Sequence, residues 1–140
     1  MCSAANADLV KSLGADHVID YRKEDFTSNF GRYHIIFDAV SSRSFGQSKE
    51  ALTPRGVYVN TLPNPAIFLS IALTSVLPGK RAATVMVSQR AVDVEWMCRY
   101  LADGRIRVVT DRVYPLDQAG DALAYSETGK AKGKIVLTCM

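Results

Sequence analysis

The side chains that most often carry catalysis are few here, and their spacing fits no known reactive motif. Histidine occurs twice, as His17 and His34, and cysteine three times, as Cys2, Cys98 and Cys139. No cysteine pair has CxxC spacing and the number is odd, which argues against a structural zinc site and a disulfide framework. There is no GxSxG, HExxH or P-loop. His34 precedes Ser41 and Ser42 in sequence, but a triad is defined by spatial partners, not by order. Both histidines read as strand residues with a structural role. Asp20 and Asp38 fall where strands should end and read as cap or turn residues. Lys130, Lys132 and Lys134 form a basic run that reads as a solvated face.

The elements that position these residues alternate between strand and helix. A first helix is predicted over Asn6 to Leu13, stopped by Gly14. His17 to Tyr21 reads as a short strand, and a weak helix ends near Phe30. Tyr33 to Val40 is an almost continuous apolar run, which suits a parallel strand covered on both faces. Phe45 to Leu52 reads as a short helix, Thr53 to Gly56 as a turn, and Val57 to Thr61 as a strand. Ala66 to Leu77 is an apolar stretch of 12 residues, short of the roughly 20 a membrane span needs, and reads as a buried or interface helix. Arg81 to Val87 is extended. Val94, Met97, Cys98 and Leu101 recur at helical spacing, so Ala91 to Ala102 is the clearest amphipathic helix; Trp96 on it reads as packing. Val108 to Tyr114 is extended, Asp117 reads as the N-cap of a helix reaching Glu127, and Lys134 to Thr138 closes the chain as a strand. This order implies one continuous α/β domain with a mainly parallel sheet.

Several stretches resemble the medium-chain dehydrogenases/reductases. Leu13-Gly14-Ala15-Asp16-His17-Val18-Ile19-Asp20-Tyr21 resembles their LGAD-x-VIDY segment, and Ile36-Phe37-Asp38-Ala39-Val40 their FDxV strand. Pro54 to Val59 resembles the following turn and strand. Asp103 to Ile106 and Tyr114 to Ala119 resemble the G-x-I and PL-x-x-A segments, and Gly133 to Leu137 the closing GKIVL strand. The matches keep family order over nearly the whole chain. They are most similar to the quinone oxidoreductase-like and zinc-type alcohol dehydrogenase-like members, of which the former mostly lack catalytic zinc.

The resemblance implies a Rossmann-like doubly wound parallel sheet, and residues 1–140 as part of a nucleotide-binding domain. Among the nine glycines no GxGxxG occurs, so the expectation is a sheet lacking its first strand and its Gly-rich turn, the element that holds a pyrophosphate. The family's N-terminal catalytic domain is expected to be absent, with the chain starting at the end of strand two. In the order 3-2-1-4-5-6 that leaves His17 to Tyr21 without a neighbour and Ile35 to Val40 with a bare edge, which favours pairing with another chain. A homo-oligomer, or association through exposed sheet edges, is expected. The family also uses the Ala66–Leu77 and Arg81–Val87 region between subunits.

Cofactor residues follow from the same register. Enzymes using NAD commonly end strand two with an acid that binds the ribose 2′-hydroxyl; here Cys2 to Asn6 offers none. Ser3 can donate to a 2′-phosphate, Tyr21 ends the neighbouring strand, and Arg22 and Lys23 add positive potential. NADP(H) is therefore favoured over NAD(H). The alternative has Ser3 opening a loop, Tyr21 half-buried in a strand and Arg22-Lys23 as a solvated turn. The resemblance further places Val40 and Ser41 near the cofactor, Thr61 and Leu62 near the nicotinamide, and Lys132 facing the cofactor. No acid, base or zinc ligand is assigned, so the chain alone is expected to be inactive and to need no zinc.

Composition bounds the rest. The chain has 140 residues, 48% hydrophobic and 22% charged, with 17 basic against 14 acidic residues for a net charge of +3. That is globular composition and too mild a charge for a nucleic-acid partner. Neither a signal peptide nor a membrane partner is expected, and the reduced cysteines fit the cytoplasm. The expected function is the cofactor-binding portion of an oxidoreductase that moves hydride between a nicotinamide and a carbonyl, quinone or activated alkene. One alternative is an inactive truncated module that acts by association. Another is a different Rossmann-like domain such as a methyltransferase, which the missing Gly-rich turn weakens equally.

Overall fold

The apolar run predicted as a strand over Tyr33 to Val40 forms one, which ends at Asp38. In the computed structural model, which describes every residue except Val87, Gln89 and Met140, the order is α1 (Ala7–Ser12), β1 (Tyr33–Asp38), α2 (Phe45–Ser48), β2 (Leu52–Asn60), α3 (Pro65–Val76), β3 (Arg81–Thr84), α4 (Ala91–Ala102), β4 (Thr110–Pro115), α5 (Ala119–Glu127) and β5 (Lys134–Thr138). Short 3₁₀ turns occupy Ala4–Asn6, Phe26–Ser28, Lys49–Ala51 and Leu116–Gln118. The chain divides into two units: Met1–Ala7 with Asp16–Ser88, and Asp8–Ala15 with Gln89–Met140. In place of one continuous sheet there is a parallel sheet in each, ordered β1-β2-β3 and β4-β5.

In the first unit, alternation along the strands sorts the two faces. Tyr58 and Ala82 point to one face and pack with Leu52 and with Ile67 of α3; Ile36, Phe45 and Ile71 close over them. The Phe45 and Tyr58 rings sit 6.2 Å apart and tilted. Helix α3 starts cleanly because the Asn64 side chain accepts from the Ile67 N–H and Pro65 takes the first turn. Thr74 Oγ1 accepts the Ala82 N–H at 3.1 Å and ties α3 to β3. On the opposite face Ile35 and Phe37 remain 66% and 61% exposed.

Several sequence-level expectations change. Thr53–Gly56 is not a free turn but part of β2. The pairing jumps from Tyr33↔Leu52 to Ile35↔Val57, so the Pro- and Gly-containing stretch bulges within the strand. His17–Tyr21 forms no strand. It makes a single parallel bridge, Cys2↔Asp20, which gives that segment the neighbour it was expected to lack. His17 therefore lies outside any strand, while His34 is on β1 and exposed. Helix α3, read as buried or at an interface, is buried at Ile67 and partly covered at Ile71, while Leu69, Leu73 and Val76 are exposed. Of the segment predicted over Arg81–Val87, Arg81–Thr84 is strand and Val87 lies outside the described residues.

In the second unit, α4 has the predicted bounds but no buried residue, so its apolar stripe of Val94, Met97 and Leu101 is uncovered. Trp96 stacks edge-on against Tyr100 at 5.6 Å and is otherwise exposed. Asp117 does not cap α5; it sits in the preceding 3₁₀ turn, and Gln118 precedes the helix. Tyr125 of α5 donates to Asp111 at 2.8 Å, and the Arg112 guanidinium lies 3.8 Å from its ring centroid. Among the described residues no helix is long and apolar enough to cross a membrane.

The bulge in β2 makes a specific demand. A Cβ on Gly56 would lie 2.9 Å from Leu52 Cβ and 3.0 Å from the Tyr33 carbonyl oxygen. We expect Gly56→Ala to destabilise the first unit by about 1–3 kcal/mol, the usual range for overpacking. Urea unfolding followed by the amide resonances of Leu52 and Tyr58 checks this; an unchanged midpoint would mean that the bulge relaxes freely.

Candidate functional site

In open α/β sheets ligands bind beyond the carboxyl ends of the strands. Here those ends are Asp38 of β1 and Asn60 of β2, and the loops that follow carry four of the predicted residues: Val40, Ser41, Thr61 and Leu62.

Asp38 is 7% exposed. A buried carboxylate needs partners, and the loop after β1 supplies them. Its Oδ1 accepts the N–H groups of Val40 (3.2 Å) and Ser42 (3.1 Å), and its Oδ2 accepts that of Arg43 (3.0 Å). The Tyr58 hydroxyl reaches the same Oδ2 at 3.0 Å, and also the carbonyl oxygen of Arg43, with one proton for two acceptors. Burial alone would raise the Asp38 carboxyl. The Arg43 and Ser42 N–H groups, the Tyr58 hydroxyl and the Val40 N–H outweigh it and hold the group below its ordinary value. Burial raises Tyr58, and the adjoining Asp38 carboxylate adds to that. Asp38 remains ionised and Tyr58 remains a donor across the neutral range.

The second loop joins the first through β2. Asn60 is 2% exposed. Its amide donates to Ser41 Oγ at 2.9 Å, and its Oδ1 accepts the Leu62 N–H at 2.7 Å. Thr61 donates from its backbone to the Asp38 carbonyl at 3.2 Å and from its hydroxyl to the Ala39 carbonyl at 3.0 Å. Ser41 is held at φ 56°, and no other non-glycine residue among those described has positive φ. Such backbone persists only where its surroundings over-determine it, and it concentrates at functional sites. Val40 and Leu62 are exposed, at 72% and 54%, so the loops present apolar side chains outward from a polar base.

A cleft of about 360 Å³ runs along the free side of β1, with Ile35, Phe37, Val40 and Ser42 on one wall and Met1 and Ile19 on the other. The second wall belongs to the Cys2↔Asp20 bridge, where Cys2 N–H donates to the Ile19 carbonyl and Tyr21 N–H to the Cys2 carbonyl. That bridge brings the Ser3 and Tyr21 segments side by side. Ser3 is half-buried and its side chain caps no helix. Tyr21 is 52% exposed, not a half-buried strand residue, and the Arg22 guanidinium stands 5.9 Å from its ring centroid. Asp20 turns the chain there by accepting the Arg22 N–H, as expected of a turn residue. Lys132 belongs to the second unit. It is exposed and lines an open groove with Arg107 and Lys134. Sequence reasoning missed Tyr58 and Asn60. Their signal is the alternation in Val57-Tyr58-Val59-Asn60, which puts two polar groups on the inward face beside Asp38.

Zinc is a different matter. Among the described residues no group of three His, Cys, Asp or Glu side chains converges as a metal site would require.

Comparisons with known proteins bear on the family and the fold. A family model described as zinc-binding dehydrogenase matches residues 13–137. A chloroplastic quinone-oxidoreductase, QR1, of Triphysaria versicolor is 32% identical over 97% of this chain and 43% of its own length. A chloroplastic NADPH-dependent alkenal/one oxidoreductase of Arabidopsis thaliana is 29% identical over 96% of this chain and 32% of its own length. The chain thus spans less than half of either relative. A quinone oxidoreductase structure from Coxiella burnetii superposes with a TM-score of 0.79 at 24% identity, over 99% of this chain and 44% of that one. That likeness shows the fold: a Rossmann-like parallel α/β arrangement.

The Asp38 clamp predicts a pH dependence. A carboxyl held low in the folded state contributes stability above its unfolded value, and that contribution is lost as pH falls through the folded value. The amide resonances of Val40, Ser42 and Arg43 should therefore stay fixed from neutral pH down to the ordinary aspartate range and move only below it. Asp38→Asn should abolish this transition and cost about 1.5–3 kcal/mol, the range for hydrogen bonds to a charged group. Amide shifts that already change above pH 5 would contradict the clamp.

Proposed function

The chain belongs to the zinc-binding dehydrogenase family, within the medium-chain dehydrogenases/reductases, and from that premise we propose that it is the cofactor-binding portion of an NADPH-dependent oxidoreductase. The observation that carries this reading is the cleft between the Cys2↔Asp20 bridge and β1. Of the proposed cofactor residues Val40 lines this cleft; Ser3, Tyr21 and Arg22 adjoin the bridge on one side of it, and Ser41, Thr61 and Leu62 belong to the ordered loops beyond the ends of β1 and β2.

When bound, the nicotinamide supplies the hydride for a carbonyl, quinone or activated alkene. This chain's residues bind and orient. Ser3 and Tyr21 offer hydroxyl groups to the 2′-phosphate, and Arg22 adds the charge that a 2′-phosphate rewards. The outward Val40 and Leu62 side chains give an apolar seat for a flat ring, and the backbone of Thr61 and Leu62 meets the carboxamide. None of these groups exchanges a proton with substrate, so the chain by itself does not turn over. Among the described residues no set of side chains forms that would hold zinc.

The exposed faces favour a second role beside this one. Ile35 and Phe37, and Leu69, Leu73 and Val76 on α3, are large apolar groups open to solvent, the kind of surface that a further chain covers. On this reading the chain self-associates, and sedimentation velocity should show a mass that rises with concentration; a fixed monomer would exclude it.

Titration with NADPH and with NADH, by calorimetry, tests the main reading. NADPH should bind about tenfold or more tightly than NADH, the worth of roughly 1.4 kcal/mol. Arg22→Ala should remove most of that preference and leave NADH affinity unchanged. Binding of neither dinucleotide would overturn the proposal.

A further inference from the structure

We propose that Asn60 is a positioning residue that couples the two loops of the crevice, so that the conformation at Ser41 sets the conformation at Leu62. The inference rests on the crevice being the ligand site, and it assigns a role to a residue that no ligand need touch. Every polar group of the Asn60 side chain is engaged. Its amide donates to Ser41 Oγ at 2.9 Å and to the Tyr58 hydroxyl at 3.4 Å, and its Oδ1 accepts the Leu62 N–H at 2.7 Å. At 2% exposure it has no free face for a ligand. It acts through what it holds.

What it holds is uneven. Ser41 sits at φ 56°, a conformation that L-residues avoid and that the surroundings must impose. The Asp38 carboxylate fixes the N–H groups on either side of Ser41, those of Val40 and Ser42, but not the Ser41 side chain. The Asn60 amide supplies that remaining restraint. On the other side of the crevice the Leu62 N–H has Asn60 Oδ1 as its partner. One rigid amide plane therefore spans both loops, and rotating it to follow Ser41 must move the acceptor under Leu62. The Asn60 carbonyl accepts from Val85 N–H and Thr84 Oγ1, both at 3.0 Å, so the backbone beneath the amide is anchored. Thr61 joins the same loops by a separate route, through Ala39 and Asp38. A test must therefore break the Asn60 link alone.

Ser41→Ala does so, since it removes the Oγ acceptor in a surface loop and leaves Thr61, Asp38 and Tyr58 in place. The readout is the Leu62 amide resonance in the full chain, which Ser41 does not contact. It should shift and lose hydrogen-exchange protection in Ser41→Ala. It should be unmoved in Ser42→Ala, which trims the same loop without touching a partner of Asn60. NADPH affinity should fall about two- to tenfold in Ser41→Ala, the range for one neutral hydrogen bond. If the Leu62 amide moves but the unsubstituted chain binds no NADPH, the coupling stands and the cofactor reading fails. If the Leu62 amide stays fixed in Ser41→Ala, or moves equally in Ser42→Ala, the coupling is overturned whatever the titration shows.

Discussion

A carboxylate cannot be taken out of water without partners, and the crevice is organised around that constraint. Asp38 ends a strand whose inward neighbours are apolar, so its charge has to be met by whatever follows in the chain. It is met by three backbone N–H groups of its own loop and by a tyrosine hydroxyl from the next strand. The consequences run outward. The loop is wound tightly enough to force Ser41 to positive φ, Tyr58 is drawn into the core with its hydroxyl toward the loop, and Asn60 is left to satisfy both Ser41 and Leu62. A loop whose N–H groups are spent on an internal carboxylate has few left for an external anion. That is why the proposed contact with the 2′-phosphate is assigned to the Ser3–Tyr21 flank and the uncharged ring to this one.

Apolar surface divides the first unit unequally. One face of the β1-β2-β3 sheet is closed by α2 and α3 around Leu52, Tyr58, Ile67 and Ala82. The other presents Ile35 and Phe37 to solvent. Parallel sheets normally have both faces covered, so the two faces differ in what they still require. The cleft along β1 is the part of the uncovered side that also carries polar groups at its margins. It combines an apolar wall with a few polar groups, those of Tyr33, Asp38 and Ser42, the usual composition of a small-molecule site.

The family is described by zinc, whereas the described residues of this chain offer no converging set of ligands for it. The two statements concern different things. A family model matches backbone pattern and core, and those persist wherever the nucleotide-binding architecture persists. Function lives in the site, and the side chains proposed here for a dinucleotide are hydroxyl and guanidinium groups rather than metal ligands.

Most of the elements are legible in local sequence pattern. The apolar run at Ile35–Phe37, the helical spacing of Val94, Met97, Cys98 and Leu101, and the GKIVL ending all became the strand or helix they signal. The family was legible too, because its motifs are local. Tertiary structure decided the rest. Thr53–Gly56 has turn composition, yet it lies within β2 because pairing with β1 absorbs it as a bulge. His17–Tyr21 has strand composition, yet without a continuous partner it makes only one bridge. Asp117 has capping chemistry, yet the preceding 3₁₀ turn shifts the helix start past it. Above all, Asp38, Tyr58 and Asn60 are separated by up to 22 residues, and nothing local marks them as partners. Strand pairing brought them to one end of the sheet, because register, not sequence distance, sets which side chains meet.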